Sequence, residues 1–299
     1  MKRIFSTMAA LGLLLLLLCS ASQAAELTRQ ALRLCAVSVL PALFPLMAAS
    51  SLLVSLGCAS AAGRLLGPGM ERLFHCSGSG GMALLLGLLG GYPLGARTTA
   101  SLLRSGEIDR AEAQRLLNFC NNAGPAFIIS MVGSIFGSAK IGLTLYLIHI
   151  SAALLTGLIL CRKAPAVHRI GAPAKVTEKS FSTALVESIS GAGLTCIQLC
   201  SFITFFQVVL QLVSSHIPIV HPLTLGFIEL TCGVVRLGTG PCDFIIAAAL
   251  LGWGGCSVHC QTAAVLADTG LSMAPYLRAK FLHGLLSAGL ALVVVLLFP

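Results

Sequence analysis

The chain has 299 residues, of which 57% are hydrophobic and 10% charged, with a net charge of +9 and a mean hydropathy of +0.95. Soluble globular domains sit near about 45–50% apolar and about 25% charged, so an ordinary water-soluble core is excluded. The basic residues flank apolar runs and form no aromatic-interleaved polar surface, a pattern of membrane topology that excludes a nucleic acid polymer as partner. The 12 cysteines lie almost entirely in apolar segments, where they act as small hydrophobes and not as a disulfide framework.

In chain order, Lys2-Arg3, an apolar stretch from Met8 to Leu18 and the small residues up to Ala24 mark residues 1–24 as a signal peptide or an uncleaved first transmembrane helix. Both place Glu26 outside. Leu18 stands where a lipoprotein signal needs a small residue before Cys19, which discounts lipidation. Leu27 to Leu56 carries Pro41 and Pro45 and reads as a bent or broken span that ends inside, before Arg64 and Arg72. Gly78 to Leu103 is divided by Gly90-Gly91-Tyr92-Pro93 into two pieces, each reaching half-way across a bilayer.

Residues 161–180 hold Arg162, Lys163, Arg169, Lys175 and Lys179 against Glu178 alone, the strongest cytoplasmic signal in the chain. Between Arg72 and that linker lie Gly78–Leu103, Asn118–Gly137 and Ile141–Leu160, so an even number of crossings is required. A re-entrant hairpin at Gly78–Leu103 satisfies this, and places Arg104, Arg110 and Arg115 inside. Beyond the linker, Phe181–Val213 runs outward, a short Leu223–Leu237 piece follows, and Cys242–Gly270 is expected to repeat the hairpin. Tyr276–Phe298 then returns inward, leaving Arg278 and Lys280 near the outer surface.

One constant shift aligns Arg72-Leu73 with Arg236-Leu237, Gly90-Gly91 with Gly254-Gly255, and Thr98 and Gly106 with Thr262 and Gly270. The expected fold is an all-α polytopic membrane protein with two inverted-topology repeats, residues 26–137 and 181–299, joined by a helix at 141–160 and the linker at 161–180. Re-entrant helical hairpins meeting near the midplane are the architecture of many secondary transporters. An old duplication that has lost transport is the alternative.

Several residues are candidates to contact a solute. Gly90, Gly91, Pro93, Gly254 and Gly255 permit turns and close backbone approach whatever the substrate. Asn118, Asn121 and Asn122 share a helical face ahead of Gly124-Pro125 and offer both donors and acceptors, which suits a neutral polar ligand; capping or interhelical bonding is the alternative. Glu229 and Thr231 sit in an apolar segment, where a carboxylate is a functional candidate or a partner for Arg236. His259 and Gln261 lie beside the second Gly-Gly. Cys256, His259 and Cys260 fall within one turn but lack a fourth ligand, so no metal is assigned. No catalytic triad, paired carboxylates or nucleotide motif lies on a plausible scaffold, so neither an enzyme nor a cofactor is expected.

The blocks GYPLGA, SLLRSGEI…EAQRLLNFCNNAGPAFI, IELTCG and GWGGCSVHCQ, in this order, resemble the sporulation integral membrane protein YlbJ family. The resemblance implies a Gate-domain protein associated with spore formation, related to nucleoside transporters and to the membrane part of ferrous-iron transporters. The sequence carries no GTPase domain, so the resemblance does not extend to a complete iron transporter. It places the family's Asn-Asn pair on Asn121-Asn122 and its Gly-Tyr-Pro on Gly91-Tyr92-Pro93. Where the family has an asparagine, this chain reads Thr231-Cys232-Gly233.

The expected function is a secondary transporter or permease for a small polar, nucleoside-like solute, in a bacterial cell membrane. The alternative is a non-transporting scaffold in spore-envelope assembly. Expected partners are the lipid bilayer and the solute, with a homo-oligomer as an open alternative.

Overall fold

The computed structural model describes residues 2–56, 65–162, 180–216 and 221–298. Arg64 and the basic stretch 163–179, which carry the expected cytoplasmic orientation, lie outside them. The described chain is helical without strands. Four helices are long and apolar enough to cross a membrane, or up to six if each of two bent pairs counts as one span.

Helices α1 (Lys2–Cys19) and α2 (Ala21–Leu34) meet at a 93° bend at Ser20. A wide π turn at Cys35–Val39 leads into α3 (Leu40–Ser55). That turn sits where Pro41 cannot donate to Val37, so the expected distortion of this span is a local widening of the helix. Alpha3 packs on the long helix α9 (Phe181–His216), with Met47 against Ala192 and Cys196 and Cys35 against Leu199 and Ile203.

Alpha4 (Gly78–Gly90) and α5 (Leu94–Arg104) fold back on each other about Gly91-Tyr92-Pro93, where the Tyr92–Pro93 bond is cis. Glycine makes the hairpin close enough: a Cβ on Gly87 would stand 3.1 Å from the Gly95 Cα. Alpha6 (Arg110–Cys120) starts at an Asp109 cap, unwinds over residues 121–124, and continues as α7 (Ala126–Ile135). The apolar helix α8 (Ala139–Cys161) then crosses the whole structure.

A second fold-back lies at Glu229, between α10 (Pro222–Ile228) and α11 (Leu230–Val234), whose backbones touch at Gly226 and Gly233. The segment expected to repeat the first hairpin does not turn back. Alpha12 (Pro241–Trp253) and α13 (Cys256–Leu266) run on as one 26-residue candidate span, interrupted at Gly254-Gly255. The last helix is α14 (Met273–Leu297).

This course decides which helix ends share a side. At one end, Arg104 pairs with Asp268 at 2.6 Å, Arg110 donates to the Gly270 carbonyl, and Gln114 exchanges two bonds with the Ser272 backbone. At the other end the Phe136 and Phe244 rings lie 6.1 Å apart across the halves and Gly133 packs against Gly142. Alpha14 therefore begins at the Arg104 end. Lys280 is not near a surface as expected; it is 1% exposed, because its side chain points from α14 into the bundle, toward Tyr92 and Asn121. Large apolar side chains remain outside on α8, α9 and α14, among them Leu147, Ile197 and Leu285, as lipid-facing surfaces require.

The Arg104 guanidinium holds the exposed Asp268 carboxyl below its ordinary range. A depressed carboxylate contributes stability above its unfolded value and loses it as pH falls through the folded one. Because the pair is solvated, Asp268→Asn is expected to leave the neutral-pH melting temperature nearly unchanged and to remove only part of the destabilisation seen on acidification. Melting curves of both proteins across the acid range check this.

Candidate functional site

Four interruptions of helix converge at mid-depth: the tip at Gly91–Pro93, the break at Asn121–Gly124, the tip at Glu229 and the break at Gly254-Gly255. His149, near the middle of α8, fixes the depth of the first break by accepting the Ala123 N–H on Nε2 at 3.1 Å. Gly91, at φ +79°, lies so close that an added Cβ would be 2.8 Å from the Gly124 nitrogen. Gly254 (φ +93°) faces the Tyr92 hydroxyl, and Gly255 (φ +87°) faces the Leu230 nitrogen. These left-handed conformations and close approaches need glycine. Trp253 ties the second break to α10, stacking on Phe227 at 4.5 Å and donating to its carbonyl at 2.9 Å.

Between the tips lies a cavity of about 70 Å3, lined by Gly91, Tyr92 and Gly124 from the first half and by Glu229, Thr231, Ser257 and Gln261 from the second. The Glu229 carboxylate accepts the Cys232 N–H at 2.7 Å, capping α11, while Arg236 donates to the Cys232 carbonyl at 3.4 Å. Both amide atoms of Gln261 and the Ser257 hydroxyl are buried and have no hydrogen-bond partner. Buried polar groups are normally satisfied, so three unmade bonds beside a cavity otherwise walled by Val39, Leu43, Phe127, Leu199 and Ile203 single it out as the candidate site.

The expected site residues separate into two groups. Gly91, Glu229, Thr231 and Gln261 line the cavity. Gly90 closes α4 against the Leu94 side chain, Pro93 opens α5, and Gly254 and Gly255 shape the second break. Asn118, Asn121 and Asn122 do not share the expected helical face, because α6 ends at Cys120 and Asn121 is extended at φ −97°, ψ 100°. Asn118 stays on α6 with a buried, unpartnered Oδ1. Asn122 donates to the Phe119 carbonyl at 2.8 Å.

Asn121 is a bracket between the halves. Its Oδ1 accepts the Ala96 N–H at 3.3 Å, and its Nδ2 donates to Thr262 Oγ1 at 3.0 Å and to Tyr276 Oη at 3.2 Å. His259 joins this network, with Nδ1 3.3 Å from Tyr276 Oη. Cys260 is exposed, so it faces away from the buried His259.

Sequence reasoning missed Lys280, His283, His149, Tyr92 and Tyr276, which form a buried polar column beside the cavity. Lys280 Nζ lies 2.9 Å from Tyr92 Oη, 3.2 Å from the Asn121 carbonyl and 3.0 Å from His283 Nδ1. The His149 and His283 rings are 4.6 Å apart, and His283 Nε2 lies 3.0 Å from the His149 carbonyl. A lysine and two histidines within apolar spans were the available signal. Ser257 gave none.

The Gate family, described as nucleoside recognition, matches residues 36–161, which contain the first hairpin, the first break and α8. The chain is similar to the sporulation integral membrane protein YlbJ of Bacillus subtilis (strain 168), 28% identical over 294 residues, covering 84% of this chain and 72% of that protein. No solved structure matches it. With four to six candidate spans, a matching Gate region and a similarity to YlbJ that runs over most of its length, the chain resembles the YlbJ integral membrane proteins.

Proposed function

We propose that the protein is a secondary transporter for a small polar solute that binds between the Gly91–Pro93 and Glu229 tips. The observation that carries this reading is the cavity whose Gln261 and Ser257 polar atoms are buried and unpartnered. An amide offers donors and an acceptor side by side, the hydroxyl offers either, and the nearby Glu229 carboxylate accepts. Together they complement a neutral molecule with adjacent donor and acceptor groups, such as the edge of a nucleobase. At about 70 Å3 the cavity is far smaller than the roughly 300–1,000 Å3 of a drug-sized site, so a nucleoside requires one tip to move.

In this reading the halves are inverted repeats, each a re-entrant hairpin, a broken span and a final helix: α4–α5, α6–α7 and α8, then α10–α11, α12–α13 and α14. Support comes from matching details at one interval. Ser138 and Ser272 cap α8 and α14 and His149 and His283 follow those caps equally, while left-handed glycines, Gly137 and Gly270, stand one and two residues ahead of the caps. This register starts the Asn121–Gly124 break on Gly255, and brings the Gly91 tip to within one helical turn of Glu229. The Arg104 end, with Arg110, Arg115 and Arg162, is the cytoplasmic one under the positive-inside rule. By its relatedness to YlbJ, the protein serves in sporulation.

Flux assays in proteoliposomes test the function, using a solute panel that includes nucleosides and comparing the native protein with Gln261→Leu. Expected is solute-specific flux that falls more than about tenfold in the variant, since an unmade buried bond costs on the order of 1–3 kcal/mol, while the melting temperature is kept. Absence of flux for every solute tested, nucleosides included, overturns transport and leaves the scaffold reading.

A further inference from the structure

The cavity does not use the lysine beside it, and the bonding around that lysine is unusual enough to assign. Asn121 is the first residue beyond α6, and the residue four places on, which would donate to its carbonyl in a continuing helix, is Pro125. Proline has no N–H, so the Asn121 carbonyl oxygen is left free at mid-depth. Lys280 Nζ occupies the position in front of it.

The hydrogen inventory fixes what Nζ must supply. The Asn121 carbonyl can only accept. Tyr92 Oη donates its hydrogen to the Leu251 carbonyl at 3.3 Å, so toward Lys280 it accepts. His283 Nε2 faces the His149 carbonyl and is assigned the ring hydrogen, which leaves Nδ1 as the acceptor. Three acceptors surround one nitrogen, matching the three hydrogens of an ammonium; a neutral amine has two and a lone pair. Other titratable groups facing the column are Cys120, His149, His259 and Tyr276, none of them a carboxylate. Dipoles and lone pairs alone therefore offset the buried charge, as they do around a bound alkali cation.

Carbonyls freed at unwound helices are where secondary transporters coordinate a coupling ion. We propose that Lys280 is a tethered occupant of a monovalent-cation site formed by the Asn121 carbonyl, Tyr92 Oη and His283 Nδ1, and that the protein binds no sodium there. The tether cannot dissociate, so the one ion this site exchanges is a proton, which can pass between Nζ and His283 Nδ1 without moving the net charge. The assignment rests on the site's own geometry and stands or falls separately from solute transport.

Thermal melting of the purified full-length protein tests it, in sodium chloride, methylammonium chloride and choline chloride at equal ionic strength. The native protein is expected to melt at the same temperature in all three. Lys280→Ala is expected to melt lower in choline and to regain about 3 °C in sodium or methylammonium, the shift for filling one site at about tenfold excess over Kd. Lys280→Met, whose thioether fills the space, should respond to neither. A saturable sodium-dependent rise in the native protein, or a folded Lys280→Ala that responds to neither cation, overturns the proposal. Should Lys280→Ala not fold, the native sodium titration and the nitrogen-15 spectrum of labelled lysine decide. A slowly exchanging amine carrying three protons is expected, and one carrying two overturns the assignment.

Discussion

Gly95→Val is expected to remove the folded protein altogether. A Cβ at Gly95 collides with the Cys120 carbonyl oxygen and comes within 3.1 Å of the Asn121 Cα; a Cβ at Gly87 meets the same carbonyl. Both obstacles are backbone at the end of α6, which cannot rotate aside as a side chain does. The cost exceeds about 3 kcal/mol, the upper part of the range for overpacking, against a total stability on the order of 5–15 kcal/mol. Loss of the monodisperse peak in size-exclusion chromatography is the expected readout. Gly193→Ala on α9 is the comparison, since nothing lies within 4 Å of the added methyl; it should behave as native. A well-folded Gly95→Val protein is incompatible with the hairpin packing described.

Asn121→Ala should be far more harmful than Asn122→Ala, although both amides are buried and adjacent. Removing the Asn121 side chain orphans the Ala96 N–H in the first turn of α5 and takes the amide donor from Thr262 and Tyr276. Unsatisfied buried groups cost on the order of 1–3 kcal/mol each, so a loss of about 2–4 kcal/mol is expected. Asn122 makes one bond, to Phe119, and its Oδ1 is already unpartnered, so its truncation costs about 1 kcal/mol. Melting temperatures of the two variants check the order. Equal effects would mean that Asn121 does not bridge the halves. The Lys280 contact is unaffected in both, because it uses the Asn121 main-chain carbonyl.

The first hairpin and the first break were readable because Gly-Gly-Tyr-Pro and Asn-Asn-Ala-Gly-Pro name the backbone problem each solves. The second half misled because a glycine pair looks the same whether the chain reverses there or only loses a turn. Gly254-Gly255 interrupts a span, and the reversal lies at Glu229, in a segment too short to attract a hairpin reading. The resulting error in side put Lys280 outside and hid its link to Asn121. Periodicity could not have found that link, since apolar helices give no sign of which face meets which neighbour. Glu229, Thr231 and Gln261 were legible as polar exceptions in apolar runs, whereas the unpartnered Ser257 becomes visible only when the cavity is lined.

The uneven distribution of ties between the two ends of the bundle has a mechanical meaning. At the Arg104 end, separating the halves breaks an ion pair, the Arg110 contact and both Gln114–Ser272 bonds. At the Phe136 end, the contact between the halves is the edge of Phe136 on Phe244, which parts without stranding a polar group. The first end should therefore hold while the second loosens, so thermal opening should begin beside Phe136 and Phe244 and be seen there first as amide hydrogen exchange.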